Sequence, residues 1–317
     1  MKVIYKKLPL KPKKCVATIG VFDGIHLGHK FIIGKVISEA KKRRISSLAI
    51  TFDCLPQQFL TLHHARNTWK PRKKFFGYIT SLKQKVSSMR LLGLDYLWLL
   101  KTGEPLLELT SRKFMEHIFK FFDIEMLFVG QDFRFGKSGQ GNIKELKALA
   151  KEYNCKLSVL KKKKIHAQKI SSSRIRQLIN RGSVLEAEKN LGRAFSLQGR
   201  VKRGESFGTK LGFPTANIRT FDYVVPAQGV YAARAVLGAE TYLAAVNIGR
   251  SPTVKESLWP TVEAHIIGFN RNIMGKTIEV VFLERIRSEK TFPSIDELRK
   301  AITKDIHFIT SKYSIRR

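Results

Sequence analysis

The chain has 317 residues, 43% of them hydrophobic, which is enough for one large or two medium domains and too apolar for a disordered protein. Its 59 lysines and arginines exceed its 25 aspartates and glutamates, giving a formal net charge of +34. No apolar run reaches the ~20 residues of a membrane span, and the three cysteines lie far apart without a CxxC pair, which argues against a disulfide framework and a zinc site.

The basic residues are spread along the whole chain and do not alternate with aromatic residues. Dense clusters such as Lys41–Arg44 fall at predicted helix ends and loops. This favours a generally lysine-rich surface, attractive to polyanionic substrates, over a dedicated nucleic-acid interface. The basic N-terminus lacks the long apolar core of a signal peptide, so we expect a cytoplasmic protein.

The first half of the chain alternates between strand and helix patterns. Short apolar runs predict strands at Cys15–Ile19, Ser47–Phe52, Asp95–Leu100, Met126–Gly130 and Lys156–Leu160. Helical periodicity lies between them, at Phe31–Ala40, Tyr78–Leu92, Ser111–Phe122 and Ile143–Tyr153. This alternation predicts a Rossmann-like parallel sheet with helices on both faces, whose ligands bind outside the carboxyl ends of the strands.

The second half of the chain has a different pattern of predicted elements. Two short helices are predicted at Ser173–Asn180 and Val184–Leu191. From Phe195 onward, strand-like runs are separated by glycine, proline and asparagine turns, at Leu197–Lys202, Gly229–Val236, Thr241–Asn247, Thr261–Phe269 and Thr277–Leu283. This spacing predicts a small antiparallel barrel or sandwich, closed by a helix at Ser294–Lys304 with Ser294 as its cap. We place the domain boundary near Gly192, giving domains 1–191 and 192–317.

A glycine-punctuated turn, Gly20–His29, lies between the first predicted strand and the first predicted helix. Its two histidines, His26 and His29, flank Gly28 at a helix start, where free backbone N–H groups favour an anion. Imidazoles there can position a phosphate chain and stabilise charge on phosphoryl oxygens, and Gly28 allows close approach. The pattern also fits a structural turn in which one histidine caps the helix and the other is half buried.

A second candidate anion site follows the last strand of the alternating half. Ile170–Arg176 brings serine hydroxyls, helix N–H groups and arginines together. An ordinary serine cap would account for one serine but hardly for three serines and two arginines.

A third candidate site lies in the second half, where Thr215 and Asn217 share one side of an extended segment. Their oxygens could meet Mg²⁺ on a phosphate chain, because Mg²⁺ prefers a few hard oxygen ligands plus substrate phosphates. Gly204, Gly208 and Lys210 could form a flexible phosphate cover. Taken alone, the stretch also fits an ordinary hairpin turn.

These motifs carry a family resemblance. Gly20–His29 together with Ile170–Arg176 resembles the HxGH nucleotidyltransferase superfamily, and Val129–Gly136 (VGQDFRFG) looks like its flavin-adenylylating branch. Nearly the whole chain, with its motifs in family order, resembles the prokaryotic bifunctional riboflavin kinases/FMN adenylyltransferases, also called FAD synthetases. The resemblance implies an N-terminal nucleotidyltransferase domain and a C-terminal β-barrel kinase domain.

For the N-terminal half, the resemblance implies that His26 and His29 bind the ATP phosphates and stabilise charge during adenylyl transfer. The implied ATP-binding residues are Gly20, Phe22, Asp23, Gly24, His26, Gly28, His29, Ser171, Ser172 and Arg176. The implied flavin-binding residues are Asp53, Asp132, Phe133 and, from the C-terminal half, Arg287.

For the C-terminal half, Gly212–Asn217 looks like the PTAN motif of riboflavin kinases. Thr215 and Asn217 are then implied to hold Mg²⁺ and ATP phosphates, with Asn217 also in the catalytic set, and Gly204, Gly208 and Lys210 to contact ATP. Thr261–Ile267 resembles the family strand with the catalytic glutamate, which makes Glu263 the expected general base for the ribityl 5′-hydroxyl. The alternative for Glu263 is a solvated strand residue.

Two positions depart from the family pattern. Thr51–Pro56 has Leu55 where the family usually has a histidine, and His63 and His64 lie at the wrong spacing to replace it. Gly268-Phe269 stands where the family often has Asp-Phe.

We therefore expect an enzyme that phosphorylates riboflavin to FMN and then transfers AMP from ATP to FMN, using Mg²⁺. One alternative is a riboflavin kinase whose adenylyltransferase half is impaired at Leu55. The other is a basic nucleic-acid-binding protein on an HxGH scaffold, which would need neither the second phosphate motif nor the PTAN segment. The expected partners are riboflavin, FMN and ATP, without a membrane, and a weak homo-oligomer is left open.

Overall fold

The computed structural model describes residues 1–5, 13–67, 77–161, 164–165, 168–203, 208, 211–220, 223–249 and 260–314, with the backbone alone for 62–67 and 164–165. The chain divides into two compact units. The first comprises Met1–Phe76 and Leu82–Ser172, and the second comprises Gly77–Ser81 and Ser173–Arg317. Among the helices that the described ranges contain, none is both long and apolar enough to cross a membrane.

The first unit is built on a six-stranded sheet with strand order β1-β4-β3-β2-β5-β6. Every neighbouring pair in it is parallel. Its strands are β1 (Lys2–Ile4), β2 (Lys13–Ile19), β3 (Ser46–Phe52), β4 (Tyr96–Leu100), β5 (Phe122–Gly130) and β6 (Lys156–Leu160). The helices between them are α1 (Leu27–Arg43), α2 (Pro56–Asn67), α3 (Leu82–Leu91), α4 (Glu104–Leu107), α5 (Ser111–Phe121) and α6 (Ile143–Glu152). A two-stranded ribbon, β7 (Lys164–Ile165) and β8 (Gln168–Lys169), follows the sheet.

Both faces of this sheet are covered by helices. Alternate residues of β2 point to opposite sides, so Cys15 and Ala17 join one apolar cluster and Val16 joins the other. The first cluster also contains buried residues of α5 and α6, and the second contains buried residues of α1 and α3. The predicted Rossmann-like arrangement is therefore confirmed.

The carboxyl ends of the three central strands lie side by side. The Gly20 N–H donates to the Ile50 carbonyl (3.0 Å), so the turn after β2 begins beside the end of β3. Asp53 directly follows β3, and Gln131 directly follows β5. Candidate polar residues thus gather at the edge of the sheet where parallel folds bind ligands.

The second unit contains a closed six-stranded barrel with strand order β10-β13-β12-β11-β14-β9. All its pairings are antiparallel. The strands are β9 (Ser196–Lys202), β10 (Ala216–Thr220), β11 (Gly229–Leu237), β12 (Glu240–Gly249), β13 (Thr261–Ile266) and β14 (Thr277–Arg287). The helices α7 (Ser172–Asn180) and α8 (Val184–Leu191) precede the barrel, and α9 (Ile295–Tyr313) follows it. The predicted antiparallel barrel with a terminal helix is confirmed.

Several element boundaries differ from the predicted ones. The helix predicted from Tyr78 begins at Leu82, because Tyr78 forms an isolated β-bridge with Tyr223. The strand predicted to reach Phe269 ends at Ile266, ahead of a turn in which Gly268 has φ +69°. The final helix, predicted to end at Lys304, continues to Tyr313.

Other elements have no counterpart in the sequence-based prediction. They are β1, α2, α4, the ribbon β7–β8 and β10. The domain boundary near Gly192 stays a prediction. In the structure, α8 and all of α7 beyond its first residue belong to the compact unit that contains the barrel.

Candidate active sites

The two histidines of the turn are joined through the first turn of α1. His26 is the N-cap of that helix, and its Nδ1 accepts a hydrogen bond from the backbone N–H of His29 (3.2 Å). Because Nδ1 is an acceptor, a neutral His26 carries its proton on Nε2. The two rings stack with centroids 3.5 Å apart and an interplanar angle of 17°. One histidine therefore caps the helix and at the same time forms one face of an imidazole pair.

His29 is held in its neutral form. Burial lowers the pKa of His29 well below its ordinary value, and the charges of His26 and Lys85 act in the same direction. The edge of Phe22 packs against the ring at a centroid distance of 5.2 Å. Within the described residues, Nδ1 of His29 is buried and has no hydrogen-bond partner. A polar atom left this way is costly unless a ligand or water reaches it.

The turn between β2 and α1 follows an unusual backbone path. Phe22, Gly24 and Ile25 all have positive φ, at 48°, 88° and 42°. Positive φ is strained for a β-branched residue such as Ile25. A Cβ on Gly28 would lie 3.1 Å from the His26 ring, so a glycine there lets the capping imidazole lie close over the helix start.

Three side chains fasten this turn to its surroundings. The Val21 carbonyl accepts hydrogen bonds from the Thr51 hydroxyl (3.0 Å) and from Nζ of Lys85 (3.0 Å). The Ser172 hydroxyl donates to the Asp23 carbonyl (2.9 Å), which brings the serine motif to the turn. Two of the predicted ATP-binding residues, Asp23 and Ser172, are therefore in direct contact. Ser171 is half-buried immediately before α7.

Nε of Arg176 donates a hydrogen bond to the Gly77 carbonyl oxygen (2.9 Å). Both residues belong to the second compact unit. The role that the resemblance implies for Arg176 therefore stays a prediction.

Asp53 organises the end of β3. Its Oδ1 accepts hydrogen bonds from the backbone N–H groups of Cys54 (2.7 Å) and Thr102 (2.8 Å). The following Leu55 is 2% exposed, and its carbonyl accepts from the N–H groups of Gln58 and Phe59 as α2 begins. Leu55, which stands where the family has a histidine, is thus an apolar core residue at a helix start.

Asp132 and Phe133 lie in the loop after β5. Asp132 is exposed, and the Phe133 N–H donates to the Gly130 carbonyl (3.0 Å). The Phe133 ring stacks on Phe135, with centroids 5.5 Å apart. The loop therefore places a carboxylate and an aromatic side chain beyond the carboxyl end of β5, while Phe135 is buried and anchors it.

In the barrel, Glu263 lies in a row of polar residues. It is directly opposite Asn217 of β10 and directly opposite Asn247 of β12. Directly opposed residues of antiparallel strands project from the same face, with Cβ atoms about 4.5–5.5 Å apart. On β13, Val262 and Ala264 are buried while Glu263 is half-buried, so the row lies on the outer face of the barrel. Lys202 of β9 lies opposite Asn217 and extends the row with a basic side chain.

The segment that contains Thr215 is tied to the strand that contains Glu263. Nδ1 of His265 and the Pro214 carbonyl oxygen are 2.9 Å apart, and since a carbonyl can only accept, the imidazole N–H is the donor. The edge of Phe213 packs against the same imidazole at 5.6 Å between centroids. Gly208 lies against Thr215, since a Cβ on Gly208 would be 3.1 Å from the threonine hydroxyl. The other two residues of the predicted cover, Gly204 and Lys210, lie outside the described residues.

Arg287 is occupied by a partner within the barrel unit. Its guanidinium binds Asp305 of α9, with Nε 3.0 Å from Oδ2 and the terminal nitrogen 2.8 Å from the same oxygen. Asp305 is 6% exposed, and the guanidinium also lies 5.5 Å from the centroid of Phe292. This contact joins β14 to the terminal helix, and the flavin contact predicted for Arg287 stays a prediction.

The donor atoms available to a metal are oxygens. Over the described part of the chain, no group of three or more histidines, cysteines, aspartates and glutamates could hold a metal ion. The row in the barrel offers instead amide oxygens and one carboxylate, and Thr215, two residues before Asn217, adds a hydroxyl. Such a donor set suits Mg²⁺ that is brought in on phosphates.

Three residues of these sites carry no predicted role from the sequence. Lys85 is a buried lysine on an otherwise ordinary helix pattern, and only its burial distinguishes it. Asn247 ends a predicted strand and His265 lies in the Thr261–Ile267 motif, but the structure was needed to place Asn247 beside Glu263 and His265 beside Pro214.

Comparison with protein families identifies both halves of the chain. A family model for FAD synthetase matches residues 8–174, and one for riboflavin kinase matches residues 191–312. The two matches occur in the order predicted from the motifs.

Individual proteins are similar to this chain over nearly its whole length. A bifunctional riboflavin kinase/FMN adenylyltransferase of Buchnera aphidicola subsp. Schizaphis graminum is 33% identical over 94% of this chain and 94% of its own length. The protein with the same description from Bacillus subtilis is 33% identical over 92% of this chain and 90% of its own. A solved structure described as a macrolide-efflux protein from Streptococcus pneumoniae is similar with a TM-score of 0.85, 27% identity, and coverage of 98% of this chain and 99% of that one.

Proposed function

The chain belongs to the family of bifunctional riboflavin kinases/FMN adenylyltransferases, and from that premise we propose which of its residues carry the two reactions. The enzyme has riboflavin kinase activity, which makes FMN, and FMN adenylyltransferase activity, which makes FAD. We assign the first reaction to the barrel and the second to the unit with the parallel sheet, following the order of the two family matches.

Adenylyl transfer needs no enzyme nucleophile, because an FMN phosphate oxygen attacks the α-phosphorus of ATP and pyrophosphate leaves. The protein must orient the two phosphates and stabilise charge on the phosphoryl oxygens. His26 and His29 stand at the start of α1, where the helix N–H groups also attract anions. His26 and the neutral His29 donate hydrogen bonds to the triphosphate, and we assign Ser171, Ser172 and Arg176 to its β- and γ-phosphates, as the family resemblance implies.

The stacked imidazole pair at the start of α1 is the observation that carries this half of the proposal. Two rings at 3.5 Å cannot both be cationic without strong repulsion, so at least one stays neutral and offers an N–H donor to the phosphate oxygens. Asp132 and Phe133, beyond β5, are assigned to the flavin side together with Asp53.

Phosphorylation of riboflavin needs a base for the 5′-hydroxyl of the ribityl chain. Glu263 is that base, taking the proton as the hydroxyl oxygen attacks the γ-phosphorus of ATP. Asn217 and Asn247 flank Glu263 in the strand register and hold the attacking hydroxyl and phosphate oxygens beside it. Gly208 itself lies close to Thr215, where a Cβ would be 3.1 Å from the threonine hydroxyl.

Mg²⁺ fits the oxygen donors of the barrel row, and Thr215 and Asn217 would hold it. When bound, Mg²⁺ screens the charge of the triphosphate. We further propose that the enzyme acts in the cytoplasm on small-molecule substrates, with its basic surface serving anionic substrates rather than nucleic acid, and that any self-association is weak.

The two assignments are tested by crossed variants of the bifunctional enzyme. Purified protein is given riboflavin or FMN with Mg·ATP, and flavins are separated by chromatography. We expect Glu263→Gln to lower FMN formation about 100-fold, the usual scale for a lost general base. His29→Asn should lower FAD formation from FMN about 100-fold, because the shorter amide has no donor at the position of the imidazole Nε2–H, and losing one charge-stabilising donor costs about that much.

Each variant should keep the other activity within about twofold, so each serves as the folding control for the other. If Glu263→Gln impaired FAD formation as strongly as FMN formation, the division of labour would be wrong. If His29→Asn kept full FAD formation, the role assigned to the turn would be wrong.

A further inference from the structure

A buried lysine lies beneath the two-histidine turn. Lys85 of α3 is 3% exposed, although it occupies a helix whose neighbouring Lys83 is exposed. Its Nζ donates to the Val21 carbonyl (3.0 Å) and to the Phe52 carbonyl (3.2 Å). One ammonium group thus connects the turn after β2 with the last residue of β3.

This connection falls where the chain needs external support. Phe22, Gly24 and Ile25 follow Val21 with positive φ, a conformation that non-glycine residues keep only when their surroundings hold it. The Val21 carbonyl lies at the entry to that stretch. On the other side, Phe52 directly precedes Asp53, so the same ammonium fixes the backbone from which Asp53 projects.

Charged and titratable groups surround the ammonium. Burial lowers the pKa of Lys85 to about 8, while the carboxylates of Asp23 and Asp53 favour its charged form and the thiol of Cys54 lies nearby. In return, its charge helps to keep His29 neutral. Burying an ammonium is costly, and an apolar side chain of the same length would avoid that cost. The two backbone carbonyls that the ammonium holds in place give this buried charge a structural purpose.

We propose that Lys85 is a positioning residue for adenylyl transfer, whose ammonium fixes the turn that presents His29 relative to the strand end that presents Asp53. This inference rests on the function proposed above for that turn. Lys85 itself does not touch the substrate and transfers no proton. It fixes the backbone that presents the groups that do, and its charge adds to the burial that keeps His29 neutral.

The test compares Lys85→Met with Lys85→Arg in the full-length bifunctional enzyme, with Lys83→Met as the matched surface control. We expect Lys85→Met to lower kcat for FAD formation at least tenfold, to change KM for ATP less than threefold, and to leave FMN formation within twofold. Lys85→Arg should recover part of the loss, because it keeps the charge and the donors. Lys83→Met should match the wild type.

A second readout separates positioning from simple support of the fold. Histidine NMR titration should show the pKa of His29 rising in Lys85→Met and staying low in Lys85→Arg. If Lys85→Met does not fold, Lys85→Gln is judged by the same kcat and the same titration.

Wild-type kcat in Lys85→Met, together with lost FAD formation in His29→Asn, would overturn this inference alone. Full FAD formation in His29→Asn would overturn both this inference and the role assigned to the turn. Equal loss in Lys85→Met and Lys85→Arg, with no change in the His29 titration, would also count against a positioning role.

Discussion

His29 is buried in surroundings that disfavour protonation of its imidazole, and the neutral form that results is the one the proposed reaction uses. Its ring is stacked on His26 and packed by the edge of Phe22, and a buried lysine lies nearby. Each of these features disfavours a proton on the imidazole, so the site keeps a neutral donor ready for a polyanionic substrate. The same features make His29 a liability for stability in acid.

The direction of this pH effect on stability follows from the number of protons that the folded and unfolded states bind. In the unfolded chain His29 takes up a proton near its ordinary pKa of 6.5, whereas the folded protein resists until a much lower pH. Between those values the unfolded state binds more protons, so the free energy of unfolding falls as pH decreases, by up to about 1.4 kcal/mol per pH unit. We expect calorimetric unfolding midpoints to fall less steeply from pH 7.5 to 5.5 in His29→Asn than in the wild type.

The matched control for this experiment is His307→Asn, since His307 is exposed on α9. That variant should reproduce the wild-type pH dependence. Parallel curves for all three proteins would mean that His29 titrates normally in the folded state.

For individual residues, sequence reasoning found the residue types but not their environments. The HxGH spacing identified His26 and His29, while their stacking and the burial that keeps His29 neutral are seen only in the folded structure. Leu55 shows the same limit. The sequence pattern shows that Leu55 replaces the usual histidine. Only the fold shows that Leu55 is a buried apolar residue, 2% exposed, at the start of a helix.

Among the elements, β13 is the one on which the kinase site depends. Its outer face carries Glu263 and, two residues on, His265, which reaches the Pro214 carbonyl at 2.9 Å. The strand therefore supplies the proposed base and also anchors the segment with Thr215 and Asn217. A change at His265 should act on the kinase without touching any phosphate.

We expect His265→Phe to lower kcat for FMN formation about tenfold, because it removes the hydrogen bond while keeping a ring against Phe213. FAD formation from FMN, measured in the same preparation, should be unchanged. His307→Phe provides the surface control. An unaltered rate of FMN formation would show that the Pro214 segment keeps its position without this bond.

The elements that sequence reasoning missed share a physical cause. The strand β10 was hidden because its first residues belong to a segment rich in glycine and proline, which resembles a turn, and its pairing with β9 and β13 is long-range. The start of α3 was misplaced because the bridge between Tyr78 and Tyr223 overrides local helical periodicity. The amphipathic helices α5 and α6 and the parallel strands β3, β4 and β6 were predicted to within one residue at each end, since their patterns are local.

For the whole molecule, the dominant property is the net charge of +34. A field of this sign attracts ATP and FMN, which are anionic, and is indifferent to riboflavin, which is neutral. Salt screens such attraction over a Debye length of about 8 Å at physiological ionic strength.

We therefore expect KM for ATP and for FMN to rise several-fold between about 0.05 M and 0.5 M KCl, while KM for riboflavin stays within about twofold. Steady-state kinetics of both reactions in one salt series would measure this, with riboflavin as the internal control. A uniform change in all three KM values would indicate a general effect of salt on the enzyme rather than attraction of its anionic substrates.

The short segment Gly77–Ser81 constrains the order in which the barrel unit can be completed. It interrupts the chain of the parallel-sheet unit, yet it belongs to the barrel unit, where Gly77 at φ +89° packs so closely that a Cβ would lie 2.3 Å from the Val224 nitrogen. During synthesis on the ribosome, this segment emerges long before Tyr223 and Val224, its partners. The barrel unit must therefore recruit a piece of chain made much earlier, so a gene fragment that starts at Gly192 would yield a barrel lacking one of its own parts.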